Sequence, residues 1–294
     1  MDYSRETIFH LPGIFEKVAV NQKLVWLYKN KPEVFRDNVK IGSIYGSPGQ
    51  AIWNGGRFMR SFYTKREMEL ARDFMEENNI PVRFTFTNCL LEEKHLYDTY
   101  CNIILEVFNT GHNEIICNSP ILEKYIRDKY GDRYKYISST TKRLNNKEKQ
   151  QDEINKDYYL VVLDYDFNDN DEYLKSLEHK EKVEILCNAV CKPNCPNRRR
   201  HYESISRCQI DHNPDDLFCC EDDKNTFYQI TKSPKFVSVE RIEELTAMGF
   251  KNFKLEGRTA SDLDLIDIVV YYLIKDEWQG LVRHDLQETA WFRM

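Results

Sequence analysis

The chain has no run of about 18 consecutive apolar residues, the length a helix needs to cross a bilayer. Its first residues, MDYSRETIFHLPG, are acidic and polar where a secretory leader would place a basic start and an apolar stretch. A cytoplasmic protein with no membrane partner is expected. Excess positive charge is also lacking: 42 Lys plus Arg stand against 48 Asp plus Glu, a net charge of −6, which argues against nucleic acid as the general partner. Only the run Arg198, Arg199 and Arg200 offers a local basic patch. No G-x-G-x-x-G turn follows the first expected strand, where the chain reads YGSPGQ, and this removes the signature of a dinucleotide-binding open sheet. There is no H-E-x-x-H helix, no recognised protease triad, no C-x-x-C pair and no C-x3-C-x2-C run. Nine cysteines, an odd number in a chain expected to carry no leader, point to thiols or metal ligands rather than a disulfide framework.

What is present is a soluble globule, with 41% hydrophobic and 13% aromatic residues and a mean hydropathy of −0.65. Short β-type runs alternate with amphipathic stretches. Eight strands are expected at Val39 to Ile44, Val82 to Thr87, Glu114 to Cys117, Tyr134 to Ser138, Tyr159 to Leu163, Val183 to Cys187, Lys235 to Val239 and Asn252 to Glu256. Helices are expected at Lys65 to Asn78, Leu96 to Asn109, Pro120 to Tyr130, Asp171 to Lys180, Val239 to Met248 and Ser261 to Ile274, with Ser119-Pro120 reading as a helix start and Gly249 as a stop. Eight successive right-handed βα units close into a ring, so the expected fold is a (β/α)8 TIM-type barrel over residues 39–294. Residues 1–38 are expected to be an N-terminal helical extension packed on the barrel.

In such a barrel, chemistry gathers in the loops after the carboxyl ends of the strands. This register places Tyr45, Asn88, Asn118, Ser119, Ser139, Thr140, Thr141, Lys142, Asp164, Asp166 and Asn188 there, followed by the flanking pair Glu256 and Arg258 around Gly257. The loop Asn54 to Arg57, NGGR, adds backbone N–H groups and a guanidinium suited to a carboxylate or phosphate. Polar residues in these loops also serve as helix caps, for which Asn118, Ser119 and Ser139 are the best placed. The catalytic candidates are Glu256 as acid or base, Arg258 as an orienting cation, and Lys142 as a cation or amine. Tyr45, Asn54, Arg57, Asn88, Asn118, Ser139 and Asp164 are expected to contact a small or anionic substrate.

Six of the nine cysteines fall between 187 and 220. Cys187, Cys191 and Cys195 lie in CNAVCKPNC, where Pro193 and Pro196 oppose a regular helix and suggest a loop folded around a metal. Four soft thiolates close a zinc site or hold an iron–sulfur cluster. Cys219 is the expected fourth ligand, Cys208 and Cys220 are substitutes, and His201 and His212 could complete a mixed zinc site. Cys101 lies in an apolar helix and reads as core packing.

The segment FKLEGRTASDLDLIDIVVYYLIK, Phe253 to Lys275, resembles the K-[IL]-E-G-R segment and following helix of the collagenase-like U32 peptidase superfamily. SIYGSPGQAIWNGGR and YISSTTK are similar to segments of a shorter, uncharacterised bacterial and phage-type group related to it. The resemblance implies a barrel fold, a role for Glu256 and Arg258 through the E-G-R motif, and cluster-binding cysteines. Several members are iron–sulfur proteins of oxygen-independent hydroxylation, and others are called peptidases. Residues and resemblance together lead to the expectation of a metalloenzyme with a 4Fe-4S cluster on Cys187, Cys191, Cys195 and Cys219, served by an electron donor. The alternatives are a zinc-stabilised non-catalytic binding protein and a peptidase.

Overall fold

Eight short strands pair in chain order, all parallel, and the last bonds to the first: the computed structural model, which describes residues 2–218 and 226–291, is a closed (β/α)8 barrel. The strands are β1 (Thr7–Pro12), β2 (Val39–Gly46), β3 (Val82–Phe86), β4 (Glu114–Cys117), β5 (Lys135–Ser138), β6 (Leu160–Val162), β7 (Val183–Leu186) and β8 (Asn252–Lys254). Around them run α1 (Val18–Asn30), α2 (Lys65–Glu77), α3 (Thr99–Val107), α4 (Pro120–Tyr130), α5 (Lys147–Ile154) and α6 (Asp171–Ser176). Among the described residues the long β7–β8 connection carries α7 (Arg198–Asp211), α8 (Phe227–Ile230) and α9 (Val239–Ala247), and α10 (Asp262–Leu273) and α11 (Gln279–Trp291) follow β8.

Two strand assignments are corrected. Residues 7–12 are not part of a helical extension but the first stave of the barrel, paired with β2 on one side and β8 on the other. Lys235 to Val239 is not a strand: Val237 donates its N–H to Cys187 O, and Ser238 caps α9 by accepting from Arg241 N. One strand is gained and one lost, so the count of eight survives while the numbering moves. A bulge between β1 and β2 skips Gly42, and a Cβ there would lie 2.4 Å from Ile8 Cγ2. Glycine is the residue that lets β1 come this close.

Helix ends follow local chemistry. Thr64 and Glu67 form a reciprocal capping box at the start of α2, and Ser261 caps α10. Helix α4 begins at Pro120, although Ser119 makes no side-chain capping bond. The apolar core lies chiefly between the strands and the helix layer, where Phe9, Phe84, Phe86, Phe253 and Tyr272 are fully buried.

The inside of the ring is divided. Ile116, Ile137, Leu160 and Val162 fill one side as a small apolar cluster. On the other side Arg83 pairs with Glu114 at 2.7 Å and with Glu184, while His10 meets Ser43 at 2.9 Å, Asn252 at 3.3 Å and Glu184 at 3.5 Å. Burial keeps the His10 imidazole neutral, with its pKa lowered to about 3. Desolvation acts to raise the pKa of the Glu184 carboxyl, but the attraction and hydrogen bond of Arg83 together with the other neighbouring groups outweigh it, and the pKa falls to about 2. This charged layer closes the ring beneath the carboxyl ends of the strands.

Candidate active site at the mouth of the barrel

Above the charged layer lies a cavity of about 790 Å³, bounded by the ends of the strands and roofed by residues of the β7–β8 connection. Helix α7 supplies His201, Tyr202 and Ile205 to this roof. It is tied to the opposite rim by Gln209, whose Oε1 accepts from Asn54 Nδ2 and Met59 N, both at 3.2 Å, and whose amide donates to Gly49 O. Ser206 O accepts from Asn88 Nδ2 at 3.0 Å. The lid is therefore hydrogen-bonded to the loops after β2 and β3.

Glu256 faces this cavity at the end of β8. Its backbone exchanges two bonds with the Asn188 amide, 2.7 and 3.0 Å, and its carboxylate accepts from Val190 N at 3.0 Å and from Arg57 Nη2 at 3.3 Å to both oxygens. The Glu256 and Arg57 side chains remain about a quarter exposed, at 23% and 24%. They form a solvent-reachable ion pair at the rim. Arg258 is different: it is buried, donating to Thr85 Oγ1 at 2.9 Å, Asn54 Oδ1 at 3.1 Å and Gly55 O at 3.0 Å, with Glu16 at 3.8 Å behind it. Its donors hold the NGGR loop against β3, so it shapes the wall of the cavity. Gly55 permits that approach, since a Cβ there would fall 2.6 Å from the Thr87 carbonyl.

Of the other expected contacts, Tyr45 and Ser139 line the cavity. The Tyr45 hydroxyl donates to Leu255 O at 2.6 Å, and Ser139 Oγ bonds Thr141 Oγ1 at 2.8 Å while capping its own turn. Asn54, Asn88, Asn118 and Asp164 do not line it. Asn54 and Asn88 are consumed by the lid and the arginine described above; Asn118 donates to Thr141 Oγ1 at 2.7 Å. Asp164 accepts from Arg198 Nη1 at 2.9 Å. Arg198 also pairs with Asp166 at 2.8 Å and lies 4.0 Å from the Tyr165 ring centre, so the first arginine of the basic run is buried within the fold. Lys142 is corrected as a catalytic candidate: its ammonium donates to Glu153 Oε1 at 2.7 Å and Tyr158 Oη at 3.0 Å, away from the cavity, and anchors α5.

The cysteines do not assemble as expected. Cys187 follows β7 on the outward face, fully buried in the apolar layer under α10, with its thiol directed to Ile185 O at 3.7 Å. Burial raises its pKa well above the usual thiol range. Strand alternation explains this: Glu184 and Leu186 point into the ring, so Ile185 and Cys187 point out. Cys191 and Cys195 do approach one another beside Tyr165. Cys219 and Cys220 lie outside the described residues, and Cys208 is buried in α7. Among the described residues no three His, Cys, Asp or Glu side chains gather as a metal site. A four-thiolate cluster built with Cys187 does not fit this chain.

One residue of the cavity was passed over in the sequence. Lys254 precedes Glu256 by two positions, and the two-residue period of a strand puts both on the inward face. Its Nζ lies 3.7 Å from Glu184 Oε1 and 4.4 Å from the centre of the Tyr45 ring. Burial lowers its pKa to about 8, although Glu184 acts to raise it. The signal was available within KLEGR itself.

No family model matches the chain, and no curated protein does. Among solved structures, one described as the U32 peptidase Mk0906 is similar with a TM-score of 0.54 at 14% identity, covering 86% of this chain and 93% of that one. At that identity the likeness is one of fold, and it places the barrel beside a U32-type architecture.

Proposed function

We propose that this protein is an enzyme that takes a small anionic substrate into the barrel mouth, with Arg57 as the anion-binding cation and Glu256 as the acid or base. The observation that carries the reading is the Arg57–Glu256 pair, the partly exposed ion pair of a lidded cavity at the end where barrel chemistry is sited. An incoming carboxylate or phosphate would take the guanidinium bidentately and release Glu256 for proton transfer. Titration with acetate, succinate and phosphate, followed by amide chemical shifts, tests it. Arg57→Ala is expected to weaken binding roughly ten- to a hundredfold, the loss of about 1.5–3 kcal/mol for a charge-assisted hydrogen bond. Equal affinity in wild type and variant would reject Arg57 as the anion site.

A peptidase is the second reading, favoured by the fold likeness alone. Against it, Thr85, Ser139 and Thr141 at the mouth bond one another, Ser47, Asn54, Asn118 or Arg258 rather than a base, and Ser261, which does donate to a carboxylate, Asp264 at 2.7 Å, is held as the cap of α10. Cleavage of an unstructured peptide abolished by Glu256→Gln would establish it.

A further inference from the structure

The cavity floor carries an amine that the ion pair at the rim does not use. Lys254 enters from the last strand, and its side chain is one-tenth exposed, toward the mouth. Lysines that serve as structural cations are held by short hydrogen bonds, as Lys142 is. Lys254 makes no hydrogen bond to any described residue: its nearest carboxylate oxygen is Glu184 Oε1 at 3.7 Å, which is itself without a hydrogen-bond partner among the described residues, while Arg83 holds the other oxygen, Oε2. The groups that face it are Glu184 from β7, Arg83 from β3, His10 from β1, the Tyr45 ring from β2, and Arg258 and Glu256 from its own loop. With His10 neutral, these put two arginines against two carboxylates around the ammonium, and desolvation is then the deciding influence.

We propose that Lys254 is a covalent nucleophile that forms a Schiff base with a small oxo acid. This deepens the reading of the mouth as an anion site, on which the choice of an acid rests. The carboxylate would sit on Arg57, placing the oxo carbon over the floor. The neutral amine donates its lone pair to that carbon, the C–N bond forms, and the carbonyl π pair moves to oxygen; the nitrogen gives up one proton and the oxygen takes one, which gives the carbinolamine. Glu256, one of the charges acting on Lys254, is the group available to exchange protons. Departure of the hydroxyl as water, with one proton delivered to it and the nitrogen's proton released, leaves the imine. No oxidant or reductant enters. A pKa of about 8 leaves roughly a tenth of the amine neutral at pH 7, against less than a thousandth for an ordinary lysine.

Glyoxylate with cyanoborohydride, which traps an imine as a stable secondary amine, supplies the test on the whole chain. Intact mass should show one dominant adduct and peptide mapping should place it on Lys254, with the trapping rate rising through a midpoint near pH 8. Lys254→Arg should lose this adduct. Lys94→Arg, which removes a lysine whose side chain is 69% exposed, should keep it. Adducts spread over surface lysines with no enrichment at Lys254, or a midpoint near 10.5, would overturn the proposal. Both outcomes are read on wild type, so poor folding of Lys254→Arg cannot obscure them. Glycolate, which has no carbonyl, separates this proposal from the reading beneath it. Arg57-dependent glycolate binding without a glyoxylate adduct rejects the nucleophile and keeps the anion site. A Lys254 adduct with which glycolate does not compete supports the nucleophile and rejects Arg57 as the anchor.

Discussion

Single side chains separate chemistry from architecture here by what they touch. Cys187 and Cys191 are four residues apart, yet one thiol is sealed in the apolar layer between strand and helix while the other stands beside Cys195 and Tyr165. Cys187→Ser places a hydroxyl among Val237, Tyr272 and their neighbours and is expected to destabilise the fold by about 1 to 3 kcal/mol, the mutational cost of an imperfectly satisfied buried polar group. It should leave unchanged any iron or zinc that purifies anaerobically with the chain. Urea denaturation and metal analysis on the same preparation check both halves. A fall in metal content with unaltered stability would restore Cys187 as a ligand. Lys142 and Lys254 make the same contrast among cations: one is fixed by a carboxylate and a phenol, the other is held by burial and a ring face.

The element that most alters the site is α7. It crosses from the cysteine loop to the far rim, and the Gln209 amide is its main fastening there. Gln209→Leu preserves bulk but leaves Asn54 Nδ2, Met59 N and Gly49 O without that partner, and an unpaired buried polar group costs about 1–3 kcal/mol. Hydrogen exchange of α7 amides is expected to quicken relative to β3 and β4, with weaker binding of small carboxylates at the mouth. Uniform acceleration throughout the chain would show a general loss of stability instead of a loosened lid. How much of this was legible varies element by element. Helix α4 and the strands β3, β4 and β7 were readable because apolar runs and turn signals agree there. The first strand, TIFHLP, was not, because His10 interrupts its apolar run and Pro12 ends it; only Ser43, Asn252 and Glu184 on three other strands make an inward histidine tolerable. Lys235 to Val239 misled for the opposite reason, being β-branched and apolar but serving as the buried lead-in to a capped helix. Glu256 and Arg57 were found at the mouth from strand ends and a glycine turn. The lid was not, since its helix RRRHYESISRCQID carries polar residues on the side that faces loops.

At the scale of the whole barrel, the charged half of its interior makes stability depend on pH in a direction that can be worked out. His10 has a pKa of about 3 when folded and 6.5 as its reference value, so between these limits the unfolded chain binds more protons and stability falls as pH falls. Glu184, lowered from 4.5 to about 2, adds to the loss once pH drops below about 4.5. Glu16 and Asp164, raised chiefly by burial, act the other way in the acid range, because their folded carboxyls hold protons more tightly. On the alkaline side Lys254 is deprotonated earlier in the folded chain than in the unfolded one, and stability rises between about 8 and 10.5. The clearest window is pH 7 to 5, above the ordinary carboxylate range, where His10 contributes at most about 1.4 kcal/mol per pH unit. His10→Gln keeps a hydrogen-bonding side chain toward Ser43 and Asn252 but cannot titrate, so its urea midpoint should change less across that window than that of wild type. Parallel curves for the two proteins would mean that His10 takes up its proton as readily inside the barrel as outside it, and that Glu184, not burial, governs the imidazole.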